Sequence, residues 1–152
     1  MSLIFGSPEW SEELRKRMNS DKKYLSAAKG YTTSVLMIVR DVPMASYTRY
    51  EDGKIVEQVP VPASQIEEYR NRVEFLFEFP AYDLFIGYLS GKEDVMRLAM
   101  SGRATFSGPT LRMMKYRKAT ERAGEIMKEL MEETIVPTKE EIQAFLEGIG
   151  ML

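Results

Sequence analysis

The stretch RVEFLFEF, residues 72–79, limits the folds open to this chain more than any other segment. Its side chains alternate, and the face without charged residues carries Val73, Phe75, Phe77 and Phe79. A period of two is typical of a β-strand that buries one of its faces. A sheet that turns three phenylalanines to one side builds an apolar interior, which a second layer has to cover.

Helical patterns precede a group of strands in the chain. The first helix is predicted to carry an apolar stripe formed by Trp10, Leu14 and Met18. We set aside the opening residues 1–3 as unrelated to the fold. The β-branched segment 31–41 predicts a strand, and the segment 45–62 predicts two further strands joined by a hairpin turn at Asp52-Gly53.

After residue 80 the chain returns to helical spacing. Two short helices are each closed by a glycine, Gly91 and Gly102, and a short strand at 103–108 follows. The tail predicts a long helix at about 109–134 and a second helix at 138–148. Strands that are grouped together, with helices before and after them, indicate an α+β fold.

The amino-acid composition excludes several classes of function. The chain has no cysteine and no histidine, so a conventional cysteine or serine triad is excluded, and we expect no metal site and no cofactor. The net charge of −2 provides no basic surface for nucleic acid. The longest apolar run, at 35–39, is too short to span a membrane, and no leader-like segment opens the chain, so we expect a cytoplasmic protein.

The segment from Asp83 to about residue 116 carries a recognisable arrangement of glycines. An acidic residue precedes an apolar helix, Gly91-Lys92 and Gly102-Arg103 follow, and Gly108 precedes another apolar helix. This order resembles the sterol carrier protein 2 family of sterol-binding domains. The resemblance is clear over residues 72–116 and does not cover the chain after Arg117.

The resemblance implies a single lipid-binding domain over 1–152, with its core at about 7–116 and a helical C-terminal extension at 117–152. It implies a five-stranded, mostly antiparallel sheet, covered on one side by helices around an apolar tunnel. The ligand it implies is a sterol, fatty acid, acyl-CoA or phospholipid. The function would be that of a non-catalytic carrier, and oligomerisation is left open.

The residues themselves favour a packed core over a cavity wall, but they do not decide between the two, because filled and hollow interiors have the same apolar pattern. Methionine is flexible and polarizable, and it accommodates irregular apolar shapes. With the resemblance, we predict that the ligand contacts Phe75, Phe77, Phe79, Phe85, Leu89, Met96, Met100, Phe106, Met113, Met114 and Met127. We further predict that the helix at 138–148 acts as a lid on the tunnel.

Two other classes of function stay open. The first is a regulatory or dimerisation module, whose apolar face binds a partner protein. The second is an isomerase in which a carboxylate in an apolar site moves a proton beside a tyrosine. Asp83 with Tyr82 or Tyr88 would supply these groups.

Overall fold

The computed structural model describes residues 2–152. Within this range the strands are β1 (Leu3–Ile4), β2 (Thr33–Val39), β3 (Met44–Glu51), β4 (Lys54–Val61), β5 (Phe75–Phe79), β6 (Thr105–Ser107) and β7 (Thr134–Ile135). The helices are α1 (Pro8–Ser20), α2 (Lys22–Ala27), α3 (Ile66–Arg70), α4 (Tyr82–Leu89), α5 (Val95–Met100), α6 (Thr110–Lys115), α7 (Arg117–Glu132) and α8 (Lys139–Gly148). A 3-10 turn at Ala63–Gln65 leads into α3.

Five of the strands form one mixed sheet in the order β4-β3-β2-β5-β6. The central pair is parallel, with Val35 of β2 opposite Phe75 of β5 and Val39 opposite Phe79. The other neighbouring strands of this sheet are antiparallel. The predicted α+β fold with a five-stranded, mostly antiparallel sheet is therefore confirmed.

The predicted hairpin turn lies at the end of β3. Asp52 and Gly53 both have positive φ angles, 48° and 84°, as a two-residue hairpin loop requires. Gly53 is also closely packed, because an added Cβ atom would lie 2.7 Å from the Cβ of Ala28. The phenol of Tyr24 donates a hydrogen bond of 2.7 Å to the Gly53 carbonyl, so α2 is attached to the turn.

The two faces of the sheet are covered differently. One face packs against the larger core, to which α1, α2, α4, α7 and α8 contribute buried side chains. The other face has a smaller apolar cluster, completed by Ile66 of α3 and by Tyr69. On that face the Glu78 carboxylate accepts hydrogen bonds from Arg40 and Arg70. Burial alone would raise the pKa of Glu78, but these two guanidinium groups outweigh it and lower the pKa.

The strand at the start of the opening pattern is shorter than its alternation suggests. Val73 was predicted to share a face with the phenylalanines, but β5 begins only at Phe75. Val73 instead packs with the smaller cluster on the opposite face of the sheet. The chain turns between α3 and β5, and this turn breaks the alternation at its first apolar residue.

The prediction of one helix over 109–134 is also wrong, because the segment divides at Tyr116. Tyr116 adopts a non-helical conformation and is buried. Its ring centroid lies 4.7 Å from that of Tyr31. Burial of this ring separates α6 from α7. The last helix follows its prediction, since Thr138 and Glu141 form a capping box at the start of α8.

Both ends of the chain contribute to the larger core, which extends beyond residues 7–116. Leu3, which the sequence pattern left aside, pairs with Thr134 in a small parallel ladder between β1 and β7. Phe5 is buried in the larger core, together with Leu130 of α7 and Ile142 of α8. The terminal segments are therefore structural parts of the same core as the sheet.

Candidate functional site

A cavity of about 500 Å³ lies between the inner face of the sheet and the helical layer. This volume is within the range of about 300–1,000 Å³ that is usual for small-molecule sites. Its walls come from β2, β3, β4 and β5 on one side and from α1, α4, α7 and α8 on the other.

Helix α1 forms one apolar wall, and its sequence explains how. Trp10, Leu14 and Met18 recur at every fourth position, so all three are buried on one face and line the cavity. The Trp10 ring packs edge-to-face on Phe5, with a centroid separation of 5.0 Å. Its indole nitrogen donates a hydrogen bond of 3.2 Å to the hydroxyl of Thr134. These contacts fix the indole at the edge of the cavity.

Helices α7 and α8 close the opposite side. From α7, Ala119, Ala123 and Met127 line the cavity. The apolar face of α8 contributes Ile142, Phe145 and Leu146, and Ile149 follows directly after the helix. Ile142 and Leu146 are buried, whereas Phe145 and Ile149 are about half exposed. Helix α8 therefore has one edge in the cavity and one edge toward solvent.

The sheet wall includes uncharged polar side chains. Alternate residues of β3 point to the same face, and they are Met44, Ser46, Thr48 and Tyr50. On the neighbouring edge strand, Gln58 is opposite Thr48 and Pro60 is opposite Ser46. All of these residues line the cavity. One region of its wall thus combines two hydroxyl groups and an amide.

Four tyrosines lie along the cavity wall: Tyr24, Tyr31, Tyr50 and Tyr88. Burial raises the pKa of Tyr31 and Tyr88 to about 12, and it also raises the pKa of Tyr50. These phenols therefore stay protonated at neutral pH. They provide neutral hydrogen-bonding groups and no negative charge.

The structure brings only some of the predicted ligand residues to the cavity. Those that line it are Phe77, Phe85, Leu89, Met113 and Met127. Phe75 and Phe79 are fully buried within packed core, where Phe79 lies 5.1 Å from Phe85 and 5.5 Å from Tyr88 between ring centroids. Phe106 packs on Phe75 at the sheet edge. These three rings support the wall and do not form it.

The remaining predicted methionines lie away from the cavity. Helix α5 buries Val95 and Leu98, and this face leaves Met100 85% exposed and Met96 only partly buried. In α6, Met113 points inward, so Met114 on the neighbouring face is 63% exposed. The glycine-bounded segment therefore contributes less to the cavity than its methionine content suggests.

Sequence reasoning missed the walls formed by α1, β3 and β4. The stripe on α1 was visible, but nothing in it distinguishes a cavity wall from a packed core. The residues of β3 and β4 that face inward include Ser46, Thr48 and Gln58. Because these side chains are polar, a sequence pattern predicts that they face solvent. The pairing register supplies the missing information, because it places Ser46 opposite Met37, Thr48 opposite Val35, and Gln58 opposite Thr48.

The groups suggested for an isomerase do not converge on the cavity. Asp83 is exposed in the first turn of α4. The Tyr82 phenol donates a hydrogen bond of 2.9 Å to the carbonyl of Pro137. Within residues 2–152 the carboxylate that lines the cavity is Glu12, which is exposed and paired with Arg15 at 2.9 Å. A proton-transfer site next to a tyrosine has no support in this geometry.

In the described part of the chain, no group of three or more acidic side chains is arranged to hold a metal ion. Across residues 2–152, no helix has both the length and the apolar character needed to cross a bilayer.

These features define the class of fold: a mixed five-stranded sheet with a helical layer that encloses an apolar cavity. The chain has the fold of sterol carrier protein 2. It is similar to a crystal structure of sterol carrier protein 2, with a TM-score of 0.65 and 15% identity over 81% of this chain and 96% of that one.

Two other solved structures have the same architecture. One is a conserved hypothetical protein, possibly sterol carrier protein, from Thermus thermophilus, with a TM-score of 0.69, 16% identity, and coverage of 90% of this chain and 94% of that chain. The other is sterol carrier protein 2 from Yarrowia lipolytica in its apo form, with a TM-score of 0.51, 17% identity, and coverage of 84% and 98%. No protein-family model and no curated protein sequence matches the chain. The likeness is therefore one of fold.

Proposed function

We propose that this protein binds one apolar, lipid-like molecule in the internal cavity and carries it without chemical change. The observation that supports the proposal is the cavity of about 500 Å³, enclosed largely by side chains such as Trp10, Leu14 and Phe77. A close-packed protein core has few voids larger than a water molecule, so a cavity of this volume is unusual for a core that binds nothing. The similar structures named as sterol carrier proteins agree with this interpretation.

The affinity of such a site would come mainly from the hydrophobic effect. Each buried methylene contributes about 0.8 kcal/mol, so ten methylenes supply ~8 kcal/mol before ordering costs are subtracted. Met127 and Met113 line the cavity with flexible side chains. Such side chains accommodate ligands of different shapes. We therefore expect binding to depend on chain length more than on the detailed shape of the ligand.

Helix α8 is the proposed lid of this cavity. It is attached to the rest of the protein by few polar contacts, among them the 3.3 Å ion pair of Lys139 with Asp41 and the hydrogen bond from Ala63 N–H to the Met151 carbonyl at 2.8 Å. Its apolar edge, Ile142 and Leu146, must leave the core when the cavity opens. Ligand exchange would then require α8 to move on the microsecond-to-millisecond timescale.

The test is a titration of the purified protein with a fluorescent fatty acid and, separately, with a fluorescent sterol. The proposal predicts saturation near one molecule per chain for at least one class of ligand. Heat-denatured protein is the control for nonspecific adsorption. Absence of saturable binding for sterols, acyl chains and phospholipids would count against the proposal.

A second candidate is a module that binds a partner protein. The observation that favours it is the exposure of three large apolar side chains, Met100, Leu111 and Met114, at 85%, 82% and 63%. Leu111 and Met114 are three residues apart on α6 and so share one face of that helix, and an exposed apolar face often marks an interaction surface. A concentration-dependent dimer in light scattering, together with no ligand binding, would favour this function over the carrier.

A further inference from the structure

The polar part of the cavity wall contains an unpaired group. Within residues 2–152, the Gln58 Oε1 atom is buried and has no hydrogen-bond partner. Buried polar atoms in folded proteins are nearly always hydrogen bonded, so an exception needs an explanation. Gln58 is on β4, and the residues opposite it on β3 indicate which kind of group could bind this atom.

The register of β3 and β4 places two hydroxyl groups next to this amide. Thr48 is directly opposite Gln58, and Ser46 is two residues further along the same face of β3. Directly opposite side chains on antiparallel strands have their Cβ atoms about 4.5–5.5 Å apart. All three residues line the cavity. A single small polar group in the cavity is therefore within reach of the amide and of at least one hydroxyl.

The charges around the cavity limit which polar group fits. The charged residues that line it are Glu12 and Arg15, which are paired with each other on α1. The phenols of Tyr31, Tyr50 and Tyr88 are neutral. A carboxylate or phosphate would be desolvated next to Gln58, and the cation that the described cavity wall offers is already paired with Glu12. A neutral group fits this environment better than an anion.

A hydroxyl group satisfies the amide in either of its orientations. The oxygen and nitrogen of a glutamine amide exchange places when the amide flips. The oxygen accepts a hydrogen bond and the nitrogen donates one, while a hydroxyl does both. An ether oxygen accepts only, so it leaves a buried carbonyl oxygen unpaired.

We propose that Gln58, with Thr48 and Ser46, forms a neutral polar subsite that binds the hydroxyl group of a neutral amphiphile. The inference rests on the proposed function, because it assumes that the apolar part of the same molecule fills the cavity. It assigns the ligand to long-chain or polycyclic alcohols and not to free fatty acids or phospholipids.

The experiment measures displacement of the neutral fluorescent probe N-phenyl-1-naphthylamine from the full-length protein. The competitors are 1-dodecanol, its methyl ether and dodecanoate. We expect the alcohol to bind about 10-fold more tightly than the ether, since one hydrogen bond to a buried group distinguishes them. Dodecanoate should bind more weakly than the alcohol at neutral pH.

The matched variants are Gln58→Leu, which removes the amide, and Gln65→Leu, which removes an exposed amide outside the cavity. In Gln58→Leu the alcohol and the ether should bind within about twofold of each other, whereas Gln65→Leu should keep the wild-type ratio. The melting temperature of ligand-free Gln58→Leu should equal or exceed that of the wild type, because an unpaired buried group has been removed. Gln58→Met replaces it if the leucine variant does not fold.

The outcomes separate this inference from the proposed function. Equal affinities of alcohol and ether in the wild type, or a 10-fold preference that survives in Gln58→Leu, would overturn the hydroxyl subsite and leave an apolar carrier in place. A wild-type protein that does not bind the probe or any competitor would overturn the carrier function itself.

Discussion

Replacing Ala123 by phenylalanine should fill part of the cavity and weaken ligand binding. Ala123 lies on α7 and its side chain lines the cavity. Replacing the alanine methyl group by a benzyl group adds about 100 Å³ of side-chain volume, which would extend into the empty space of the cavity. The cavity has a volume of about 500 Å³, so the ring would occupy roughly a fifth of it.

The size of the effect follows from the volume lost. A methylene occupies roughly 30 Å³, similar to the share of one water molecule in the liquid, so the ring displaces about three methylenes of the ligand. At about 0.8 kcal/mol each, the loss is ~2.4 kcal/mol, or about 50-fold in the dissociation constant. The protein itself should not lose stability, because the ring buries apolar surface in existing space.

The assay is a titration of a fluorescent long-chain alcohol into wild type, Ala123→Phe and Met100→Phe, with melting temperatures measured in parallel. Met100 is 85% exposed, so its variant adds a ring outside the cavity and should bind within about twofold of the wild type. An unchanged affinity in Ala123→Phe, with an unchanged or higher melting temperature, would refute the assignment of the ligand to this cavity.

Two more predictions concern the lid and the pH dependence of stability. Ala63 and Met151 are joined by a backbone hydrogen bond of 2.8 Å, so the two residues are neighbours in space, and the chain has no cysteine that would compete with an introduced pair. The oxidised Ala63→Cys/Met151→Cys variant should therefore release ligand more slowly than its reduced form in stopped-flow measurements; equal release rates would contradict a moving lid. Asp21 accepts hydrogen bonds from Arg122 at 2.8 and 3.0 Å, which lowers its pKa from 3.8 to about 2. Since the folded-state pKa is the lower one, this stabilisation is present above about pH 4 and is lost as the pH falls toward 2. The urea midpoints of wild type and Asp21→Asn should thus converge over that range, and a constant difference would contradict the pairing.

The sequence pattern predicted most of the main strands and helices, and the family resemblance supplied their arrangement in layers. Alternation at Phe75, Phe77 and Phe79 identified a strand with one buried face, and Asp52-Gly53 identified the hairpin, because these signals act over a few residues. The division of the tail at Tyr116 was not predictable. It depends on a contact with Tyr31, which is distant in the chain.

The candidate site was predictable only in part, since hollow and filled interiors have the same apolar pattern. Met127 and Phe85 line the cavity, while Phe79 is packed behind it and Met100 is exposed. The difference between these positions is set by the packing of whole helices. The inward position of Gln58 was not predictable either, because it depends on the register between β3 and β4.

Native mass spectrometry of the purified full-length protein, followed by extraction and identification of any bound molecule, addresses the carrier function without assuming a ligand. The carrier interpretation predicts a species with one apolar molecule per chain, which disappears on extraction and returns when the same molecule is added back. If every preparation contains only the bare chain, and incubation with sterols, long-chain alcohols, acyl chains and phospholipids adds no mass, the protein is not a lipid carrier.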